Sequence, residues 1–164
     1  MVTITIATDM DAEGVSAAAA ASWQATYRGL LSDDFIARFV ERYYSVDNLK
    51  NAFAQAESTF LVAKDGEQII GFCEFGKAIH MEQGVELYRL YLIPAYWRQG
   101  IGGQLIAQIE DMLRAQGVVQ YFCYVHAENE VGKGFYHKHG FVHDPAHDVH
   151  AGMYEWYMVK NVYA

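Results

Sequence analysis

The segment Trp97–Gln104, with the sequence WRQGIGGQ, lies between two stretches of different pattern. Residues 85–93 have the pattern of a β-strand, whereas residues 101–116 place apolar side chains on one helical face. A glycine turn before a helix exposes backbone N–H groups, and the helix dipole adds partial positive charge there. Glycine also lets a ligand approach closely, because a Cβ would hold it off the backbone. We therefore predict a phosphate-binding turn around Gly100.

Two familiar phosphate loops match this turn poorly. The loop of nucleoside triphosphatases needs a longer glycine spacing and a Lys-Ser/Thr pair, which is absent. The dinucleotide fingerprint needs Gly-x-Gly-x-x-Gly, but only Gly100, Gly102 and Gly103 cluster here. A glycine-rich helix start without a ligand is the structural alternative.

The length of 164 residues suits one domain, which we assign to residues 1–164. A composition with 52% hydrophobic and 15% aromatic residues argues against disorder. We expect neither a membrane span nor a signal peptide, since Met1 leads straight into the strand-like Val2–Ile6. Cys73 and Cys123 lie in strand-like segments, so we expect buried free thiols and a cytoplasmic location.

The net charge of -8 argues against a nucleic-acid partner. Residues 1–86 contain 13 acidic and 6 basic residues, whereas residues 87–164 contain 7 and 6. The half with the glycine turn is therefore nearly neutral. The acidic half is suited to attract a cationic second substrate, although an acidic surface that maintains solubility is the alternative.

The periodicity along the chain predicts an α+β domain around a mixed sheet. The predicted helices are 11–27, a helix that includes residues 35–40, 47–56, 101–116 and 129–139. The predicted strands are 2–6, 59–63, 68–75, 85–93, 118–125, 141–142 and 153–159.

With this order, three linked segments resemble the GNAT N-acetyltransferase superfamily. Glu86–Pro94 resembles the family's fourth strand, and Trp97–Gly102 resembles its Gln/Arg-x-x-Gly-x-Gly/Ala pyrophosphate loop. Asn129–Tyr136, followed by Gly140-Phe141, resembles its Asn-x-x-Ala-x-x-Phe-Tyr…Gly-Phe segment. Ser22–Leu31 is similar to a segment of bacterial members that include polyamine acetyltransferases. Together these segments cover most of the chain.

The chain departs from the family pattern at two positions. Trp97 stands where the loop usually has Gln or Arg, and Gly132 stands where the later segment usually has Ala. The first departure removes a side-chain contact of the usual loop and leaves its backbone cradle intact.

The resemblance implies a mostly antiparallel sheet with splayed fourth and fifth strands, flanked by helices. It also implies direct transfer of an acetyl group from acetyl-CoA to a primary amine in a ternary complex, without a metal. The residues that it implies for binding acetyl-CoA are Leu92, Ile93, Arg98, Gln99, Gly100, Ile101, Gly102, Gly103, Asn129, Phe135 and Tyr136.

Two proton transfers are needed, because the acceptor amine is mostly ammonium at neutral pH and the departing thiolate takes up a proton. Glu86 matches the position of a catalytic glutamate in several members, acting through water, and Glu74 and His126 are alternatives. Tyr136 matches the general-acid tyrosine. Aromatic side chains predicted to line the acceptor pocket, with a core position as the alternative, are Trp23, Tyr27, Tyr88 and Tyr154.

The resemblance does not choose among small amines, antibiotics and protein amino groups as the acceptor, and the acidic first half suggests a cationic amine such as a polyamine. A non-catalytic acyl-CoA-binding or sensor domain on the same fold is the alternative function, and a dinucleotide-dependent oxidoreductase is a third. The resemblance allows a homodimer. The His- and Asp-rich segment 143–150 matches no structural zinc spacing, so we predict a polar loop there.

Overall fold

Seven strands form one sheet in the order β1-β2-β3-β4-β5-β7-β6 in the computed structural model, which describes residues 1–164. The strands are β1 Val2–Ile6, β2 Ser58–Asp65, β3 Gln68–Lys77, β4 Val85–Leu92, β5 Gln120–His126, β6 Val142–His143 and β7 Glu155–Asn161. The helices are α1 Ala12–Tyr27, α2 Asp33–Tyr43, α3 Val46–Phe53, α4 Ile101–Ala115 and α5 Glu130–Lys138. The predicted α+β class and element order are confirmed.

The sheet is antiparallel except between β4 and β5. These two parallel strands pair at one register position, Glu86 with Phe122, and then diverge. The predicted splay between the fourth and fifth strands is therefore confirmed. It opens a wedge in the sheet toward the carboxyl ends of both strands.

A β-bulge in β4 decides which side chains face each side of the sheet. Leu87 pairs with Phe75 and Arg89 pairs with Glu74, so Tyr88 is an extra residue in the ladder. Leu87 and the later leucines of β4 therefore lie on one face. Arg89 and Tyr91 follow Glu86 onto the other face, where the bulge redirects them.

Two apolar cores lie on opposite faces of the sheet. The larger cluster contains 18 buried residues and packs beneath α4 and α5. The second contains 14 buried residues beneath α1, α2 and α3. Cys73 and Cys123 are free and buried in the first core, where desolvation raises the pKa of both thiols. No helix of the structure is both long enough and apolar enough to cross a bilayer.

Candidate active site

The first of two clefts opens at the wedge and has a volume of about 640 Å³. We call it the glycine-turn cleft, because it is lined by Arg98, Gly100 and the first turn of α4 on one side and by Asn129–Tyr136 on the other. Leu92 of β4 and Val125 of β5 line it where the strands have separated. The cleft therefore joins the two segments that the sequence pattern singled out.

The backbone N–H groups of the glycine turn have no acceptor within the chain. The first helical hydrogen bond of α4 runs from the Gln104 N–H to the Gly100 carbonyl at 3.1 Å, and Gly100 provides no capping side chain. The N–H groups from Arg98 to Gly103 precede it and are free for a ligand. Gly100 has φ 81° and Arg98 has φ 62°. The left-handed conformation of Arg98 is uncommon outside glycine and is typical of binding turns.

Gly102 is required by packing against α5. A Cβ at this position would lie 2.6 Å from Cε2 of Phe135. The glycine lets the Phe135 ring pack directly on the first turn of α4. The free amides and this ring thus belong to one wall of the cleft. The free amides suit the pyrophosphate of a CoA-type ligand, and the Phe135 ring suits its apolar arm.

Trp97 ties the turn to the end of β4. Its indole N–H donates a hydrogen bond to the Leu92 carbonyl oxygen at 2.8 Å. This contact gives a physical reason for tryptophan at a position where the resembled motif has Gln or Arg: the side chain holds the turn in place. Gln99 points elsewhere, because its amide donates to the Ala95 carbonyl at 2.8 Å.

Leu92 and Ile93, both predicted to contact acetyl-CoA, differ in their backbone orientation. The Ile93 N–H donates to the Ile70 carbonyl of β3 at 2.9 Å, and the Ile93 side chain packs into both cores. Neither Ile93 nor Gln99 lines the glycine-turn cleft. Hydrogen-bonding direction alternates along an antiparallel strand, so the N–H of Leu92 faces away from β3 and into the wedge. Of these two residues, Leu92 therefore presents its backbone N–H to the cleft and Ile93 does not.

Asn129 caps α5 and lines the same cleft. Its Oδ1 accepts a hydrogen bond from the Gly132 N–H at 2.9 Å. A Cβ at Gly132 would lie 2.6 Å from Nδ2 of Asn129 and 3.0 Å from Cγ2 of Val125. Glycine instead of the family's alanine is thus explained by the close approach of the capping side chain.

Tyr136 lies at the buried end of the glycine-turn cleft, beside Cys123. Burial raises the pKa of its phenol well above the ordinary value, and the neighbouring Cys123 adds to this effect. Its hydroxyl is therefore protonated at neutral pH and can donate a hydrogen bond or a proton.

The second cleft, of about 750 Å³, lies on the other side of the wedge. We call it the carboxylate cleft, because four glutamates line it: Glu57, Glu74, Glu86 and Glu155. Aromatic side chains from α1, α2, β4 and β5 form much of its remaining wall. Such a surface favours cations, through carboxylates and through aromatic faces.

Glu86 is buried at the edge of the carboxylate cleft. Its Oε2 accepts the N–H groups of Ile79 and His80 at 2.9 and 3.3 Å. Its Oε1 lies 2.7 Å from Nδ1 of His80, whose side chain is 60% exposed. A proton taken up by this carboxylate thus has a path to solvent through an imidazole ring.

The two alternative bases have other hydrogen-bond partners. Glu74 pairs with the Arg89 guanidinium at 2.6 Å and accepts the Ser58 hydroxyl at 2.9 Å. His126 accepts the Glu128 N–H on Nδ1 at 3.2 Å, so its neutral ring carries the proton on Nε2. In this tautomer the nitrogen that is free to meet a substrate is a donor rather than a base.

Three of the four aromatic residues predicted for the acceptor pocket line the carboxylate cleft: Trp23, Tyr27 and Tyr88. Tyr154 lines neither cleft, because its hydroxyl donates to Asp148 at 2.9 Å. Tyr91 also lines both clefts and was not predicted from the sequence; its hydroxyl lies 3.0 Å from that of Tyr27. The β4 bulge turns Tyr91 toward the clefts, and the sequence carries no signal for that bulge.

Asp148 organises the His- and Asp-rich loop before β7. Its carboxylate accepts the Tyr157 N–H at 2.8 Å and the Tyr154 hydroxyl, and it contacts Nε2 of His143 at 3.0 Å. Burial favours a higher pKa for Asp148, but the hydrogen bonds from Tyr157 and His143 outweigh it and lower the pKa. The predicted polar loop is therefore a folded segment clamped onto the start of β7.

The two clefts meet at a set of side chains that lines both: Tyr27, Tyr88, Arg89, Tyr91 and Tyr124. Burial raises the pKa of Tyr27 to about 12, so its hydroxyl stays protonated beside Tyr91. A ligand held by the glycine turn and a second ligand among the glutamates would touch at this junction. The arrangement suits the transfer of a group between two bound molecules.

Comparison with known proteins identifies the family. The model of the acetyltransferase (GNAT) family matches residues 23–141, which include both motif segments. The chain belongs to the GNAT family. This GNAT chain is 36% identical to a spermidine N(1)-acetyltransferase of Thermoplasma acidophilum over 135 residues, which are 80% of this chain and 82% of the relative.

Solved structures agree with this assignment of the GNAT chain. The PaiA N-acetyltransferase of Thermoplasma acidophilum in complex with coenzyme A superposes with a TM-score of 0.88 and 30% identity, covering 98% of this chain and 99% of that one. The ribosomal-protein-S18-alanine N-acetyltransferase of Escherichia coli shares the fold at a TM-score of 0.70 and 16% identity, covering 99% and 94%. The protein is an N-acetyltransferase, and neither the sensor nor the oxidoreductase alternative is favoured.

Proposed function

We propose that this enzyme transfers the acetyl group of acetyl-CoA directly to a primary amine of a small cationic acceptor, with a polyamine as the first candidate. The observation that carries the proposal is the meeting of the two clefts at Tyr27, Tyr91 and Tyr124. One cleft offers free amides to an anionic ligand, and the other offers carboxylates and aromatic faces to a cationic one.

Direct transfer is supported by the absence of a thiol at the junction. Neither Cys73 nor Cys123 lines a cleft, and both are buried with raised pKa values. A buried, protonated thiol is a poor nucleophile, so an acetylated cysteine on the pathway has no candidate residue. The amine itself would attack the thioester carbonyl in the ternary complex.

The residues of the glycine-turn cleft would hold acetyl-CoA. The amides from Arg98 to Gly103 would bind the pyrophosphate, with the Arg98 guanidinium as a nearby cation. The wedge-facing N–H of Leu92 would donate to the thioester oxygen as negative charge develops there. Asn129 and Phe135 would contact the pantetheine arm from α5.

Glu86 would accept the proton that the acceptor loses. An alkylammonium has a pKa of roughly 10 by analogy with lysine, so most of the acceptor is protonated at neutral pH. Glu86 lines the carboxylate cleft and contacts the exposed His80 ring at 2.7 Å. The carboxylate would take the proton through a chain of water molecules, and His80 would pass it to solvent.

Tyr136 would return a proton to the departing thiolate. Transfer from a phenol of pKa about 10 to a thiolate of pKa about 8.5 is uphill by roughly 2 kcal/mol. Burial raises the pKa of Tyr136 further, but the same apolar surroundings raise the basicity of a thiolate held beside it. A final proton transfer from Tyr136 to the thiolate therefore adds little to the activation barrier.

The polyamine candidate is supported by the spermidine N(1)-acetyltransferase of Thermoplasma acidophilum, the relative that is 36% identical. A thiol-release assay with acetyl-CoA tests the proposal against a panel of polyamines, amino-terminal peptides and aminoglycosides. We expect turnover with polyamines and formation of the N-acetyl product by mass spectrometry. A folded enzyme that binds CoA and acetylates none of these amines would contradict the proposal.

A further inference from the structure

Glu155 differs from the other three glutamates of the carboxylate cleft in having no partner. Glu74 is neutralised by Arg89 at 2.6 Å, and Glu57 pairs with Lys77 at 3.1 Å. Glu86 accepts two backbone N–H groups and contacts His80. The carboxylate of Glu155 makes no hydrogen bond or ion pair within the chain, although it is more than half buried and lines the cleft.

The position of Glu155 is set by rigid structure. It is the first residue of β7 and pairs with His126 across β5–β7. Its backbone exchanges two hydrogen bonds with Val149, at 2.9 and 3.0 Å. Asp148 clamps the preceding loop onto the Tyr157 N–H at 2.8 Å. The unpartnered carboxylate is thus presented to the cleft by a fixed backbone, which is what a specificity residue requires.

Glu155 and Glu86 lie on opposite sides of β5. Glu86 pairs with Phe122 and Glu155 pairs with His126, four residues further along. At about 3.3 Å per residue, this offset is about 13 Å along the strand. The side chain of Tyr124 lies between these positions on the same face of β5, and it lines both clefts. An aliphatic chain that runs from the junction of the clefts toward Glu155 would therefore pass over this aromatic ring.

We infer that Glu155 binds the second, non-reacting ammonium group of the acceptor, so that the enzyme prefers diamines and longer polyamines to monoamines of equal length. The inference rests on the proposed function and adds to it the residue that selects the substrate. The reacting amine lies at the junction of the clefts, its methylenes cover Tyr124, and its far ammonium pairs with Glu155. Glu155 is a specificity residue and takes no part in proton transfer.

The test compares 1,4-diaminobutane with n-butylamine, which has the same carbon chain and lacks the second ammonium. We expect the wild-type KM for the diamine to be at least about tenfold lower than for the monoamine. Glu155→Gln should raise the diamine KM about tenfold, leave kcat within about threefold, and leave the butylamine KM nearly unchanged. Glu155→Asp, which keeps the charge, should restore part of the preference.

Glu128→Gln is the matched control. It removes the same charge, but Glu128 is exposed and lines neither cleft. An exposed carboxylate outside both clefts contributes little, so both KM values should change less than about twofold. The KM for acetyl-CoA and the thermal unfolding temperature report whether each variant is folded. If Glu155→Gln does not fold, salt dependence in the wild type serves instead, since screening should raise the KM of the diamine more than that of the monoamine.

The outcomes separate the inference from the proposed function. If the wild type acetylates both amines with equal KM, or if Glu155→Gln leaves the diamine preference intact, the inference is wrong and the function stands. A loss of kcat for both amines alike would also overturn it, because Glu155 would then act on the reacting nitrogen. A wild type that binds CoA and acetylates no amine overturns both.

Discussion

The glycine-turn cleft and the carboxylate cleft recognise their ligands by different means. The first relies on backbone N–H groups from Arg98 to Gly103, supplied by one continuous segment. The second relies on side chains from α1, α2, five strands and the loops that connect them. Backbone donors are independent of side-chain identity, so a short motif with glycines at set spacing is enough to encode the first cleft. The second cleft can vary in sequence while the fold is retained.

The residues at the junction carry out the chemistry, whereas the two clefts supply the affinity for acetyl-CoA and for the acceptor. Changes at the junction should lower kcat, changes in the glycine turn should raise the KM for acetyl-CoA, and changes at Glu155 should act on the acceptor alone.

Tyr136→Phe should lower kcat by about 10² to 10³-fold, because the hydroxyl that protonates the thiolate is lost. The Kd for CoA, measured by calorimetry, should change less than about threefold, since the ring and its packing against Phe135 and Phe141 remain. A collapse of CoA binding with unchanged kcat would show that Tyr136 serves to bind CoA and does not protonate the thiolate.

Glu86→Gln should lower kcat/KM for the amine by about 10²-fold at pH 7 and by less at pH 9. Below the amine pKa of roughly 10, the neutral amine becomes about tenfold more abundant per pH unit, so a missing base matters less as pH rises. The pH–rate profiles of variant and wild type should therefore converge toward high pH. Profiles that stay parallel would remove Glu86 as the base; Glu74→Gln is less suitable as a control, because it strands the Arg89 guanidinium.

Gly102→Ala should raise the KM for acetyl-CoA by about tenfold or more while kcat at saturation changes little. Its Cβ would lie 2.6 Å from the Phe135 ring, so the turn and α5 must separate. Gly14→Ala is the matched control, because Gly14 lies within α1 and outside both clefts and its Cβ would lie 2.5 Å from Cγ1 of Ile69, so it adds similar packing strain without touching either ligand. Equal KM values for both variants would show that the Gly102–Phe135 contact does not support the cleft.

Trp97→Phe should raise the KM for acetyl-CoA by a few-fold, the smallest effect in this series. The variant keeps an aromatic ring and loses the 2.8 Å hydrogen bond from the indole to the Leu92 carbonyl. A single neutral hydrogen bond contributes about 1 kcal/mol, or about fivefold. An effect on the amine KM alone would indicate that Trp97 serves the other cleft.

Much of the fold was accessible from local patterns. The glycine turn at the start of α4, the capping position of Asn129 and the burial of both cysteines all follow from residue type and spacing. Element ends were less accurate: the third helix covers Val46–Phe53 where 47–56 was predicted, and β7 covers Glu155–Asn161 where 153–159 was predicted. Helix and strand ends depend on capping and pairing partners outside the local window.

In the candidate site, too, some residues could be predicted from local sequence and others could not. Local sequence marked the glycine turn and Tyr136, but it also selected Tyr154, which bonds Asp148 outside both clefts. It overlooked Tyr91, because an alternation rule without the bulge at Tyr88 assigns the wrong face. Glu155 had no local signal at all, since one glutamate before a strand resembles any other.

The α+β element order, the glycine turn with its unpaired amides and the family could be read from the chain alone, because each depends on short-range periodicity or on residues at set spacing. The folded arrangement was needed to establish where β4 and β5 diverge, which of four glutamates lacks a partner, and which tyrosines meet at the junction. Those properties arise from strands far apart in the chain being packed into one sheet. The electrostatics of a carboxylate depend on which cations and N–H groups come within a few ångströms, and only the folded chain sets those distances.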